Sequence, residues 1–272
     1  MRVIRRHELL AYFIFAYLFS WAIAVPLALQ RAGVLDTRLP YTLHYLTAYG
    51  PLLSAVLVTW GLSGSAGVRS FLRRGFRGLG WGWFLFSLLS PLLFLVPAAV
   101  VAATRGTAAS YLRGLGQVNF FPYLGLLAWG LWLATSGLGE EVGWRGFALP
   151  RFQRRSSMVR SALVLGIPWA VWHIPALFYL PNLMALGIFL PGFALGILAG
   201  SLVFAWLYNV TRGSILAVVL WHGTLNFVTA SKAGEGLTGI FSSMVVMAAA
   251  VVIAIVYRGR PASEPAREQI TA

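Results

Sequence analysis

Along the chain, apolar residues gather into long runs separated by short polar segments, at about 10–29, 44–63, 82–103, 121–144, 161–180, 186–208, 214–230 and 238–257. Each run approaches the length an α-helix needs to cross the hydrocarbon core of a bilayer, about 20 residues. The pattern predicts an all-α protein: a polytopic transmembrane helical bundle of about eight spans. It fills 1–272 as a single integral-membrane domain and ends in a polar tail over 258–272. The first run follows Arg2, Arg5 and Arg6 and contains Ala22 and Ala24, as a cleavable secretory signal would. Its apolar stretch is too long for that role, so it reads as a retained signal-anchor helix.

Composition sharpens this picture. Of 272 residues, 59% are hydrophobic, with 21 Lys+Arg and 7 Asp+Glu, far from the roughly quarter-charged make-up of a soluble domain. A net charge of +14 would point to nucleic acid in a soluble chain, but here the basic residues fall between the apolar runs and act as topology signals. Nucleic acid is therefore not an expected partner; the lipid bilayer is. With the N-terminus in the cytoplasm, fifteen basic residues fall on the cytoplasmic side. They include Arg69, Arg73, Arg74 and Arg77 after the second run and Arg151, Arg154, Arg155 and Arg160 after the fourth. Five fall on the other side: Arg31, Arg38, Arg105, Arg113 and Lys232. This bias places both termini in the cytoplasm. The preference for arginine over lysine hints at a bacterial source, and so at a bacterial cytoplasmic membrane. The chain has no cysteine, which removes disulfides, thiol catalysis and Cys-ligated metals. Gly192, Gly196 and Gly200 recur every four residues in the sixth run, the spacing that lets helix backbones approach closely.

Ionisable groups inside apolar runs are costly and are functional candidates by default. Only Glu140 and Glu141 among the acids, and His173 and His222 among the four histidines, lie well within a run or at its end; His44 sits at a span edge. Glu141 and Arg145 are four residues apart, share a helix face and can pair. Glu140 lies about 100° round the helix, toward the bundle interior and without a local counterion, a setting for a general base. His173 follows Trp169 by four residues between Pro168 and Pro175, and His222 and Asn226 are again four apart. If Arg145 marks the cytoplasmic surface, Glu140 lies roughly 7 Å inward, His222 roughly 12 Å and His173 roughly 18 Å, at about 1.5 Å per residue. The site should then open toward the cytoplasmic half of the bilayer.

A carboxylate, two imidazoles and an amide suit water-mediated acyl transfer, in which the carboxylate deprotonates water and donors hold the oxyanion. The same residues offer an alternative as zinc ligands with an open water position, although no HExxH is present. A non-catalytic scaffold or immunity protein and a transporter are the readings from other classes.

Three motifs in order resemble those of the CPBP intramembrane proteases, which include the CAAX prenyl endopeptidases and bacterial relatives linked to bacteriocin processing and self-immunity. Glu140, Glu141 and Arg145 match EExxxR; His173 matches the histidine of FxxxH, with Trp169 in place of the phenylalanine; His222 and Asn226 match HxxxN. The resemblance covers about 121–230, the expected catalytic core. It implies an intramembrane endopeptidase acting on a peptide or membrane-protein substrate. Glu140 and His173 would activate water, His222 and Asn226 would hold the oxyanion, and Glu141 and Arg145 would support the site. No cofactor is expected on the glutamate reading, with zinc as the alternative.

Overall fold

The computed structural model describes residues 7–76 and 78–261; Arg2, Arg5, Arg6, Arg77 and most of the expected polar tail lie outside them. The chain is a helical integral membrane protein. Among the described residues, six stretches are long and apolar enough to cross a bilayer: Glu8–Arg31, Tyr41–Gly75, Trp81–Thr104, Met158–Phe178, Gly187–Val210 and Leu237–Val256. The main helices are α1 (Glu8–Arg31), α2 (Tyr49–Gly75), α3 (Trp81–Leu89), α4 (Val96–Thr104), α5 (Leu127–Trp132), α6 (Met158–Trp172), α7 (Leu190–Val210), α8 (Ile215–Thr229) and α9 (Leu237–Val256). A 3-10 segment over Ser90–Leu95 joins α3 to α4. The second apolar run was expected to stop at 63. Gly64, at φ 65°, breaks α2 there, and the helix resumes to carry Arg69, Arg73 and Arg74.

The fourth and seventh runs are helical but differ from the other six. After α5 the chain forms π-helix over Leu133–Glu140, a turn of α-helix over Glu141–Gly143, π-helix again over Trp144–Ala148, and α-helix over Leu149–Gln153. α8 has 15 residues, about 22 Å at the α-helical rise, shorter than the hydrocarbon core. Its length is tolerable because it is enclosed by protein: residues 217–224 are all buried. α8 packs on the π-helical stretch and on α3, α1 packs on α2, and α7 packs on both α6 and α9. The outer helices turn apolar side chains outward, as Leu10, Ile14 and Leu18 on α1 and Ile240, Met244 and Val251 on α9 show. That is the arrangement lipid requires.

Close approach of backbones occurs at glycines other than those the spacing singled out. A Cβ on Gly139 would lie 2.7 Å from the Ala48 carbonyl oxygen, and one on Gly143 2.5 Å from the Pro51 backbone. These glycines seat the irregular stretch against the start of α2. By contrast, Gly192 and Gly196 have no heavy atom near the place of a Cβ, and Gly200 faces the Trp169 ring at 3.8 Å. The expected tight contact through the Gly192/Gly196/Gly200 stripe is therefore not made. α6 and α7 instead meet where Gly166 faces Leu198 and where the Ser201 hydroxyl donates to the Ala162 carbonyl at 2.7 Å. The stripe borders a cavity.

Candidate active site

The six motif residues come from three elements, and each is oriented by local chemistry. In the irregular stretch the Glu141–Arg145 pair forms as the spacing expected, with Arg145 Nη1 donating to Glu141 Oε1 at 2.9 Å. Both side chains are fully buried. The same carboxylate oxygen accepts from His222 Nδ1 on α8 at 2.7 Å. The arginine Cζ also lies 4.2 Å from the centroid of the Trp169 ring and 4.6 Å from that of Phe204, the cation–π geometry that offsets part of its desolvation. Arg145 therefore does not mark a membrane surface, and the depths counted from it do not hold. Helix continues past it to Gln153, which puts Glu140 about 20 Å along the helical axis from that end.

Glu140 turns the other way. Its Oε2 accepts from the Trp169 indole N–H at 2.8 Å, and the residue lines the cavity. Trp169 thus links the parts of the site. It binds Glu140, its carbonyl holds His173, and its ring meets those of His173 at 5.9 Å and His222 at 5.7 Å. The His173 contact follows from the end of α6. Near Pro175 the helix tightens to 3-10, so the His173 backbone N–H donates to the Ala170 carbonyl. The Trp169 carbonyl then takes His173 Nδ1 at 2.7 Å. A carbonyl only accepts, so Nδ1 carries the proton and Nε2 of the neutral ring is an acceptor. His222 is fixed in the same sense by Glu141, and Asn226 Nδ2 lies 3.5 Å from His222 Nε2, too long for a strong hydrogen bond.

Glu140, His173, His222 and Asn226 all line one cavity of about 640 Å³. Its wall is largely apolar, with Trp21, Trp132, Trp172 and Phe193 among its aromatic residues, and among the described residues no lysine, arginine or aspartate lines it. It is bordered by exposed residues of the 181–192 segment, such as Asn182 and Phe189. Trp144, Phe147 and Leu149 are not exposed, and Tyr12 stacks on Phe147 at 4.9 Å.

Two residues were missed by sequence reasoning. His44, set aside as a span-edge residue, lines the same cavity and has Nδ1 2.7 Å from the Tyr179 hydroxyl. The role of the Trp169 N–H was also missed, although a buried indole usually finds an acceptor. The zinc alternative needs at least three converging donors. Among the described residues no group of three His, Cys, Asp or Glu side chains is placed to hold an ion.

Comparison with known proteins follows this geometry. The Type II CAAX prenyl endopeptidase Rce1-like family matches residues 121–228, which contain all three motifs. A curated relative, the CAAX prenyl protease 2 of Methanococcus maripaludis, is 30% identical over 148 residues, 51% of this chain and 52% of that protein. The chain thus spans about half the length of the curated relative it matches. The matched segment supplies EExxxR, the histidine of the second motif and HxxxN in order, and over that segment the chain is similar to the CPBP intramembrane proteases, which include the CAAX prenyl endopeptidases.

Proposed function

We propose that this protein is an intramembrane endopeptidase of the glutamate type, hydrolysing a peptide bond in a membrane-associated peptide or protein. The observation that carries the reading is the convergence of Glu140, His173, His222 and Asn226 on one cavity, with Glu141 and Arg145 paired behind it. The Glu140 carboxylate, oriented by Trp169, takes a proton from water as the water oxygen attacks the scissile carbonyl carbon. His173, with Nε2 as its acceptor, assists that proton transfer. The carbonyl oxygen becomes an oxyanion held by Asn226 Nδ2 and by His222 Nε2, which donates when the ring is protonated. Glu141 stabilises that imidazolium through Nδ1, as a buried carboxylate orients and supports a histidine in other hydrolases. Collapse of the intermediate breaks the C–N bond, and the proton taken by Glu140 passes to the leaving amine. The curated relative is named for prenylated CAAX substrates; the substrate proposed here is an uncharged peptide segment, whether or not it carries a lipid.

The test incubates the purified, detergent-solubilised protein with a mixed peptide library and follows cleavage by mass spectrometry, with Glu140→Ala and a metal chelator in parallel. Cleavage that is lost in the variant and indifferent to chelator is the expected result. Cleavage abolished by chelator and restored by zinc would overturn the glutamate mechanism, and equal cleavage by wild type and Glu140→Ala would overturn the role of that carboxylate.

A further inference from the structure

His44 lines the cavity but has no role in the hydrolysis proposed above. It stands in the helical turn His44–Thr47, just before α2, where the Thr47 hydroxyl donates to the His44 carbonyl at 2.6 Å. Its ring is held by a residue from another span. Past His173 the chain runs through the 3-10 turn Ile174–Phe178 and delivers Tyr179. The Tyr179 hydroxyl lies 2.7 Å from His44 Nδ1, and the two rings meet edge to face at 5.5 Å. Tyr41 in turn stacks on Tyr179 at 6.2 Å.

The surroundings of that contact decide where the imidazole carries its proton. Tyr179 is 2% exposed, and among the described residues the acceptor its hydroxyl meets is His44 Nδ1. Were Nδ1 to hold a proton, the tyrosine O–H would be enclosed without a partner, which is costly. The hydroxyl therefore donates, Nδ1 accepts, and the ring carries its hydrogen on Nε2. That is the tautomer opposite to His173, whose Nδ1 donates to the Trp169 carbonyl. Among the described residues His44 Nε2 meets no acceptor, and it is not enclosed by protein. Other polar groups of the wall are already engaged: the hydroxyls of Thr135, Ser136 and Thr229 each donate to a carbonyl four residues earlier. The His44 N–H is free to meet a guest.

An unpaired donor in a largely apolar cavity suits an extended peptide, whose backbone carbonyls need donors once they leave water. We propose that His44 is a substrate-binding residue: its Nε2–H donates to a backbone carbonyl of the bound peptide other than the one that is cleaved, and Tyr179 holds the ring in the tautomer that can do so. That the peptide is cleaved rests on the hydrolase reading above; the hydrogen bond does not.

Two substitutions separate this role from a structural one. The longer amide of His44→Gln can place an N–H where Nε2 stands. The shorter amide of His44→Asn reaches only the place of Nδ1, so it keeps an acceptor for Tyr179 and loses the donor to the cavity. The probe is an end-blocked, uncharged peptide of leucine, alanine and serine carrying a fluorophore, bound to the Glu140→Gln protein in detergent and followed by anisotropy. The dissociation constant should rise about threefold to tenfold when His44→Asn is added, the loss of one hydrogen bond, and stay within about twofold for His44→Gln. Equal constants in the two variants, weaker binding in His44→Gln than in His44→Asn, or no binding by the Glu140→Gln parent overturns the proposal. Tyr179→Phe gives a second reading that leaves His44 in place: freed of its donor, the ring can move its proton to Nδ1, and binding should weaken by a smaller factor. Unchanged binding there also overturns the proposal. Weaker binding in His44→Asn with no cleavage by wild type would sink the hydrolase reading and leave this one standing. Cleavage by wild type with KM unaltered in His44→Asn would do the opposite.

Discussion

The two adjacent glutamates are one residue apart in sequence and opposite in predicted consequence, because they face different surroundings. Glu141→Gln leaves Arg145, which has no exposed surface, with a neutral amide in place of its carboxylate. It also removes the anion that holds His222 Nδ1. Breaking one side of a buried ion pair costs about 3–5 kcal/mol, because the other charge stays buried. Here the glutamine oxygen can still accept one hydrogen bond, and two rings flank the guanidinium, so the lower end of that range, about 3 kcal/mol, is expected. Glu140→Gln keeps an acceptor for the Trp169 N–H and loses only the charge assistance of one hydrogen bond, about 1 kcal/mol. Denaturant unfolding in detergent, followed by tryptophan fluorescence, should therefore show Glu141→Gln clearly destabilised and Glu140→Gln near wild type, while peptide cleavage is abolished in Glu140→Gln. The double variant Glu141→Gln/Arg145→Met, which removes both charges, should recover part of the loss. If Glu140→Gln unfolds more readily than Glu141→Gln, or Glu140→Gln keeps wild-type cleavage, the division of labour between the two carboxylates is wrong.

Other consequences can be checked in the same preparation. Trp169→Phe removes the donor that orients Glu140; a hydrogen bond to a charged group is worth about 1.5–3 kcal/mol, so kcat/KM should fall roughly tenfold to a hundredfold, mostly through kcat. Unchanged steady-state kinetics would show that the indole N–H does not position the carboxylate. Gly143→Ala places a Cβ 2.5 Å from the Pro51 backbone and should destabilise by about 1–3 kcal/mol, whereas Gly196→Ala meets nothing and should leave unfolding unchanged or slightly improved; equal midpoints for the two would count against the close packing at Gly143. Prolonged dialysis against a chelator should leave the rate of peptide cleavage unaltered, and a rate that recovers only on adding a divalent ion would contradict this.

What could be read from the chain was whatever depends on neighbours three or four residues away. The Glu141–Arg145 pair, the common face of His222 and Asn226 and the side-by-side placement of Trp169 and His173 are local relations on a helix, and the structure contains the contacts they imply. What could not be read depends on residues far apart in sequence. Glu141 and His222 are separated by 81 positions, and nothing in either motif says that one carboxylate oxygen serves both Arg145 and His222. The same limit explains the misplaced surface. An arginine near the end of an apolar run is ordinarily taken as a boundary, and only the packing of Trp169 and Phe204 over Arg145 shows that it is interior. The glycine stripe on α7 was misread for a related reason: spacing reveals that a helix has a smooth face, but not whether a helix or a cavity lies against it.

The segment that departs most from regular helix is also the one that carries the carboxylates. π-helical turns are rare and collect at functional sites, and here two of them flank Glu141–Gly143. Gly139 and Gly143 provide the room for that stretch to lie against Ala48 and Pro51. Filling those positions with larger side chains would push it away from α2 and disturb the seat of the carboxylates between them. Local regularity has been given up at one place, and the surrounding structure compensates: α8 is enclosed against the irregular stretch, and the Glu141–Arg145–His222 cluster cross-links the two. Such a concentration of broken local rules is expected where a fold holds reactive groups. Glu141 joins the buried cluster while Glu140, one residue earlier, lines the cavity. The short backbone between them therefore separates a buried, paired charge from one that lines the cavity.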